Sequence, residues 1–241
     1  MERVAVLGRG VSLKKYAKFS HLFKKIYIVG NFWKEIVKLK IKHFKNKDIV
    51  HIISRTDSPL RNGLYKKLNF TKITTPYYVE ELVNSKIVNK FKKVNRKIET
   101  LPKCMIGRGY PSAPRELIVK YSRKYNNYKE LCKFLREKFP EEIKEITVQA
   151  KRSHYWPTTG MYALDICLVE NNPKEIYIFG IDCLQTLNYV IYNFDFKTTR
   201  NTDATRLMFY HTEEMVKEFS STMFYSASSV IKLNYPNWQL V

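Results

Sequence analysis

The stretch R-V-A-V-L-G-R-G-V-S, residues 3–12, decides the fold of this chain. Its first half is an apolar run closed by Gly8, which is typical of a strand buried on both faces in a parallel sheet. A glycine-rich turn follows, and Ser12 is expected to cap a helix that begins at Leu13. The stretch therefore predicts a strand that passes directly into a helix.

Three further segments repeat this pattern. Buried strands are predicted at Ile26–Val29 and Asp48–Ile53, and a third at Lys174–Asp182, after a helix that Pro157–Gly160 opens and that runs to Glu170. Strands that alternate with helices at this spacing predict an α/β, Rossmann-like fold with a mostly parallel, doubly wound sheet and flanking helices. We expect one domain over residues 1–241, with a small lid segment at 185–206.

The remaining elements are predicted from weaker patterns. Peripheral helices are expected between Ser58 and Arg96, and an amphipathic helix at Tyr121–Phe139, where Pro140 stops it. A helix from about Thr205 to Phe219 and a strand near Val230–Leu233 complete the chain.

Charge is the outstanding feature of the composition. The 241 residues include 43 Lys and Arg against 22 Asp and Glu, a formal charge of +21. This excess predicts an anionic partner, although a coding bias toward Lys, Ile, Asn and Tyr is an alternative source of the lysines. The four cysteines form no C-x-x-C pair, which disfavours a disulfide scaffold or structural zinc. No signal peptide or long apolar run is present, so we expect a soluble, cytoplasmic protein, with peripheral binding to an anionic membrane surface left open.

The turn Gly8-Arg9-Gly10 is the first candidate site. Glycines between a strand and a helix let the backbone approach a phosphate, whose charge the helix N–H groups attract. Leu13 occupies the place of the third glycine of the dinucleotide fingerprint, and no acid closes the second strand. A nucleotide or nucleotide sugar is therefore favoured over a nicotinamide or flavin as the ligand. The alternative is a tight turn that binds no ligand.

Other candidates lie at the ends of strands and the start of a helix. Asn31 and Ser54 follow the second and third strands, at the edge where ligands of open α/β sheets bind. Thr158, Thr159 and Gly160 offer hydroxyls and backbone donors to an anion at a helix start, or serve only as caps.

Two histidines are candidates for a catalytic base. A neutral His211 would accept the proton of an acceptor hydroxyl. His154 is the second candidate for the base. Alternatively, His154 and Trp156 line the aromatic wall of a sugar site.

Residues 4–14, 158–163 and 174–182 resemble motifs of the bacterial sialyltransferases of glycosyltransferase family 42. The resemblance implies a Rossmann-like sheet with a lid, a CMP-sialic acid donor, no metal or other cofactor, and inversion by direct attack of an acceptor hydroxyl. It also implies a donor site made of Gly8, Gly10, Ser12, Asn31, Thr158, Thr159 and Gly160, to which we add Arg9, Ser54 and Asp182.

The same resemblance implies that His211 is the base and that a lid tyrosine, Tyr189, Tyr192 or Tyr210, stabilises the leaving phosphate. Arg9 stands where the family has asparagine, and Trp156 where it has arginine. Arg9 therefore either replaces the lost cation or marks a different nucleotide sugar.

Three functions follow as expectations. The first is a sialyltransferase-like enzyme whose acceptor is a glycan, or a glycolipid at a membrane surface. The second is a transferase of the same fold that modifies nucleic acid, and the third is a non-catalytic nucleic-acid-binding protein with a degenerate transferase fold. A homo-oligomer is left open.

Overall fold

The computed structural model describes residues 2–30, 32–52, 67–75, 97–100, 117, 120–121, 124–125, 128–142, 159–182, 209 and 212–241. The strands in these ranges are β1 (Arg3–Leu7), β2 (Lys25–Val29), β3 (Asp48–Ile52), β4 (Phe70–Thr75), β5 (Lys97–Thr100), β6 (Glu175–Phe179), β7 (Met223–Ser226) and β8 (Trp238–Leu240). They form one eight-stranded sheet in the order β5-β4-β3-β2-β1-β6-β7-β8. Every neighbouring pair is parallel.

Helices connect the strands. The α-helices are α1 (Tyr16–Phe19), α2 (Trp33–Leu39), α3 (Tyr128–Lys138) and α4 (Thr159–Asn171), and residues 212–218 are also helical. Short 3-10 helices lie at Val11–Lys15, Ser20–Leu22 and Ile41–His43. None of the helices in the described ranges is long and apolar enough to span a bilayer.

The two faces of the sheet carry separate hydrophobic cores, because successive side chains of a strand point to opposite faces. On β1, Val4 and Val6 belong to a core covered by α3, α4 and residues 212–218. Ala5 and Leu7 belong to the other core, which the segments 11–23 and 32–44 cover. Helices therefore pack on both faces, and the predicted doubly wound, Rossmann-like α/β fold is confirmed.

The predictions for the strongest patterns are confirmed. Each continuous apolar run predicted as a strand is one, giving β1, β2, β3 and β6. The helix predicted after Pro157 is α4, whose residues 163–169 are all buried, including the free thiol Cys167. The amphipathic helix is α3, which begins later than predicted and ends just before Phe139.

Other predictions are wrong. Strand β4 lies within the region predicted to hold only peripheral helices. The C-terminal strand is not at Val230–Leu233, because β7 and β8 lie on either side of that segment. Since β7 and β8 are parallel, the chain between them runs back along the sheet, and it does so as a connection rather than as a strand. The predicted lid at 185–206 lies outside the described residues.

Candidate functional site

The order of the strands fixes where a ligand crevice is expected. From β1 the sheet extends in one direction through β2 to β5, and in the other through β6 to β8. The order therefore reverses between β1 and β6, and in open α/β sheets ligands bind at the carboxyl ends of the strands at such a switch point. The turn after β1 contains Gly8 and Gly10, and the turn after β6 contains Gly180 and Asp182.

These two turns pack directly against each other. The Gly8 N–H donates to the Phe179 carbonyl at 2.7 Å, and the Gly10 N–H donates to the Gly180 carbonyl at 2.8 Å. A Cβ at Gly8 would lie 2.2 Å from the Gly180 carbonyl oxygen, and Gly180 itself has a φ of +70°. The glycines are therefore required by the contact between the turns, whatever ligand approaches them.

Asp182 binds the start of the first helical segment. Its Oδ1 accepts a 2.6 Å hydrogen bond from the Ser12 hydroxyl, and its Oδ2 accepts one of 3.2 Å from the Ser12 N–H. The Ser12 hydroxyl also accepts a 2.8 Å hydrogen bond from the Gly180 N–H. A buried carboxylate thus takes a backbone donor at the position where an anion is favoured.

This arrangement corrects one prediction. The helical segment begins at Val11 rather than Leu13, and its N-cap is Gly10 without a side-chain capping bond. Ser12 is therefore not the cap. Its hydroxyl joins the two turns instead, because the close packing of Gly10 against Asp182 brings the carboxylate within its reach.

Arg9 extends from the same turn to the end of β2. Its Nε donates to Glu35 Oε1 at 2.7 Å, with the Glu35 side chain completely buried and that of Arg9 19% exposed. The Arg9 Cδ lies 3.9 Å from the point that a Cβ at Gly30 would occupy. The Glu35 Oε2 is buried and has no hydrogen-bond partner. The guanidinium is thus already committed to a buried carboxylate in this structure.

Sequence reasoning missed Glu35, although a signal was present. Glu35 lies in the first turn of α2, three residues after Phe32 and four before Leu39, both of which are buried. Residues at this spacing share one face of a helix. An acid on an apolar face predicts a buried ionic partner.

His51 was also missed, and it fixes the end of β2. Its Nε2–H donates to the Gly30 carbonyl at 2.6 Å, and Gly30 has a φ of +64°. Burial lowers the pKa of His51 to about 4, although the hydrogen bond to Gly30 opposes this change. The imidazole is therefore neutral at pH 7, and it holds the backbone immediately before the candidate Asn31.

The start of α4 lies at the same edge of the sheet. A Cβ at Gly160 would lie 3.3 Å from the side chain of Ile181, the residue between Gly180 and Asp182. Helix α4 begins at Thr159, so the N–H groups of its first turn, which have no partner within the helix, lie beside the carboxyl end of β6. The site thus combines two helical starts, a buried ion pair and a buried carboxylate.

The structure therefore brings Gly8, Arg9, Gly10, Ser12, Gly160 and Asp182 together at one edge, with the helix start at Thr159. The other candidates lie outside the described residues: Asn31, Ser54, His154, Trp156, Thr158, Tyr189, Tyr192, Tyr210 and His211. In the described ranges, no group of three or more His, Cys, Asp or Glu side chains could hold a metal ion.

Comparisons with known proteins give one structural likeness. No protein-family model matches the chain, and no curated protein matches it. Among solved structures, the chain is similar to the sialyltransferase CST-II in complex with a trisaccharide acceptor and CMP. The TM-score is 0.47 at 17% identity, over 97% of this chain and 89% of that chain. Because the TM-score is below 0.5, this likeness supports no conclusion, and the strand order alone defines the fold.

Proposed function

We propose that the chain is a glycosyltransferase that takes sugar from a nucleotide donor bound at the switch point of its sheet. The observation that carries the proposal is the convergence of the β1 turn, the β6 turn and the start of α4 at one edge. Backbone donors at a helix start suit the phosphate of such a donor.

Within this class we propose a CMP-sugar, CMP-sialic acid or a relative, as the donor. The support is the resemblance of residues 4–14 and 158–182 to the motifs of family 42 sialyltransferases. The described part of these motifs lies at the switch point, as the proposal requires: β1 with its turn, the first residues of α4, and β6 with Asp182.

The charges at the two helical starts indicate which part of the donor each would bind. The start after β1 already binds the Asp182 carboxylate, which would repel a second anion close to it. The start of α4 lies at the same edge of the sheet, so we assign the phosphate to Thr158, Thr159 and Gly160. The turn at Gly8–Gly10 then forms a wall for the neutral part of the nucleotide.

In the proposed reaction, His211 accepts the proton of an acceptor hydroxyl while that oxygen attacks the anomeric carbon of the sugar. The bond from this carbon to the phosphate oxygen breaks, CMP leaves with the electron pair, and the anomeric centre inverts. Tyr189, Tyr192 or Tyr210 donates a hydrogen bond to the leaving phosphate. No metal is needed, so EDTA should leave turnover unchanged.

Thermal-shift measurements with CMP, UDP and GDP test the donor. A ligand at a hundred times its Kd stabilises the fold by about 2.7 kcal/mol, which corresponds to a rise in Tm of roughly 5–10 °C for a chain of this length. We expect this rise with CMP and its sugars only. Failure of all three nucleotides to stabilise the protein would contradict the transferase proposal.

A matched pair of histidine variants tests the base. His211→Ala should abolish transfer from the donor that stabilises the protein, while the Tm shift with CMP is kept. His154→Ala is the control, and it should retain turnover with the same donor. The reverse result would assign the base to His154.

A further inference from the structure

The layer that covers one face of the sheet, residues 11–23 and 32–44, has a strongly basic surface, with the exposed acid Asp48 at its border. Between residues 11 and 47 the sequence has eleven lysines and a single acid, Glu35. That acid is completely buried and paired with Arg9, so it does not offset the lysines outside. The exposed lysines of this layer and its borders, here called the lysine face, are Lys14, Lys15, Lys18, Lys24, Lys38, Lys40, Lys42 and Lys45.

Contacts within the layer bring its two segments together. The Tyr16 hydroxyl donates to the His43 carbonyl at 3.1 Å, and the Ser20 hydroxyl lies 2.7 Å from His43 Nδ1. These bonds place the first helices beside the segment that carries Lys40 and Lys42. Burial, and then the charges of Lys42, Lys40 and Lys47, lower the pKa of His43. These lysines therefore produce a positive electrostatic potential at His43.

An exposed valine lies on the lysine face. Val37 of α2 is 61% exposed, whereas Trp33, one helical turn before it, and Ile41, in the 3-10 helix after Lys40, are half-buried and pack against the core. The ammonium group of Lys34 lies 5.4 Å from the centre of the Trp33 ring. An aromatic and an aliphatic side chain flanked by lysines match the composition of surfaces that lie in the headgroup region of a bilayer.

We propose that the lysine face docks this protein on an anionic lipid surface, with Val37 entering the headgroup region. A nucleic acid would use the lysines through its phosphates, but it gains nothing from an exposed valine. A lipid surface uses both, because the charges attract the headgroups and Val37 gains by leaving water. The proposal needs no turnover and stands independently of the donor.

Sedimentation with vesicles tests it on the full chain. Phosphatidylcholine vesicles with roughly 30% phosphatidylserine should bind the protein, and binding should fall at high salt, whereas pure phosphatidylcholine should not bind. Each lysine near such a surface is worth roughly fivefold in affinity. Neutralising Lys18, Lys40, Lys42 and Lys45 to Gln should therefore weaken binding several hundredfold.

The control is a variant with as many charges removed from the opposite face. Lys133, Arg136, Lys138 and Lys232 are all exposed there, and their replacement by Gln should change binding by less than about tenfold. All eight side chains are exposed, so both variants should keep the wild-type Tm. Equal loss in the two variants would overturn the assignment to the lysine face.

Val37→Asp separates lipid from nucleic acid. It should weaken vesicle binding by about tenfold or more, because a buried apolar contact is replaced by a carboxylate. A single-stranded RNA that binds through the same lysines, unaffected by Val37→Asp, with no binding to the phosphatidylserine vesicles, would overturn the proposal in favour of a nucleic-acid surface.

Discussion

Acid should destabilise this protein through His51. The imidazole is fully buried on β3, and burial lowers its pKa from 6.5 to about 4. Well above pH 6.5 it is neutral in both the folded and unfolded chains, so stability is unaffected there. As the pH falls from 6.5 toward 4, the unfolded chain binds a proton that the folded chain does not, and stability is lost.

The size of the loss follows from the two pKa values. A tenfold difference in proton affinity between the folded and unfolded chains corresponds to about 1.36 kcal/mol, so the free energy of unfolding should fall by about 3.4 kcal/mol once the pH is below 4. At pH 5 the unfolded imidazole is largely protonated and the folded one is not. The loss there is about 2 kcal/mol.

Urea denaturation at about pH 7.5 and pH 5 measures this loss. In His51→Gln, an amide N–H still reaches toward Gly30, but no group titrates at this position. The free energy of unfolding of this variant should therefore fall by about 2 kcal/mol less than that of the wild type between the two pH values. His21→Gln, which makes the same replacement at an exposed position, is the control. Equal losses in the wild type and His51→Gln would refute a buried, neutral imidazole.

Two further predictions concern the turns at the switch point. Gly8→Ala should destabilise the protein by about 3 kcal/mol or more, since its Cβ would lie 2.2 Å from a backbone oxygen. Gly160→Ala, whose Cβ would lie 3.3 Å from a side chain, should change the stability by less than about 1 kcal/mol. Thermal denaturation measures both. Arg9→Met should cost about 3–5 kcal/mol in urea denaturation because it leaves Glu35 buried and unpaired, and adding Glu35→Gln should recover most of this. A double variant as unstable as Arg9→Met alone would show that the ion pair is not the cause.

The central strands could be predicted from sequence because they are buried on both faces. Such strands are almost continuously apolar, and β1, β2, β3 and β6 each have four buried residues in a row, of which only His51 in β3 is charged or strongly polar. Strand β4 reads F-T-K-I-T-T, with Lys72 in its middle, and it lies in a lysine-rich region. Its β-branched residues favour a strand, but its polar residues masked the pattern.

The C-terminal region shows a different limit. Val230–Leu233 has the residues of a strand, yet pairing is decided by neighbours in space. Ile231 is buried in the core on the α4 face without belonging to the sheet. Local sequence predicts that such a segment is buried, while topology determines what it packs against.

The position of the candidate site was predictable, since the carboxyl ends of parallel strands meet at one edge. Its internal bonds were not, because Ser12 and Asp182 are separated by 170 residues. Their contact depends on how closely Gly8 and Gly10 let the two turns approach. Likewise, the pairing of Arg9 with Glu35 depends on the path of the Arg9 side chain past Gly30. That path cannot be predicted from the spacing of the residues in the sequence.

These internal bonds change what the glycine turn can do. A turn of the type Gly-x-Gly before a helix is expected to receive a phosphate, and a cation between the glycines would strengthen that expectation. Here the helical start binds Asp182, and Arg9 is paired with a buried carboxylate. The N-terminal end of this helical segment and the guanidinium of Arg9 thus already have carboxylate partners within the protein. We therefore expect the charged part of a donor at the start of α4, and the β1 turn to select the donor by shape rather than by charge.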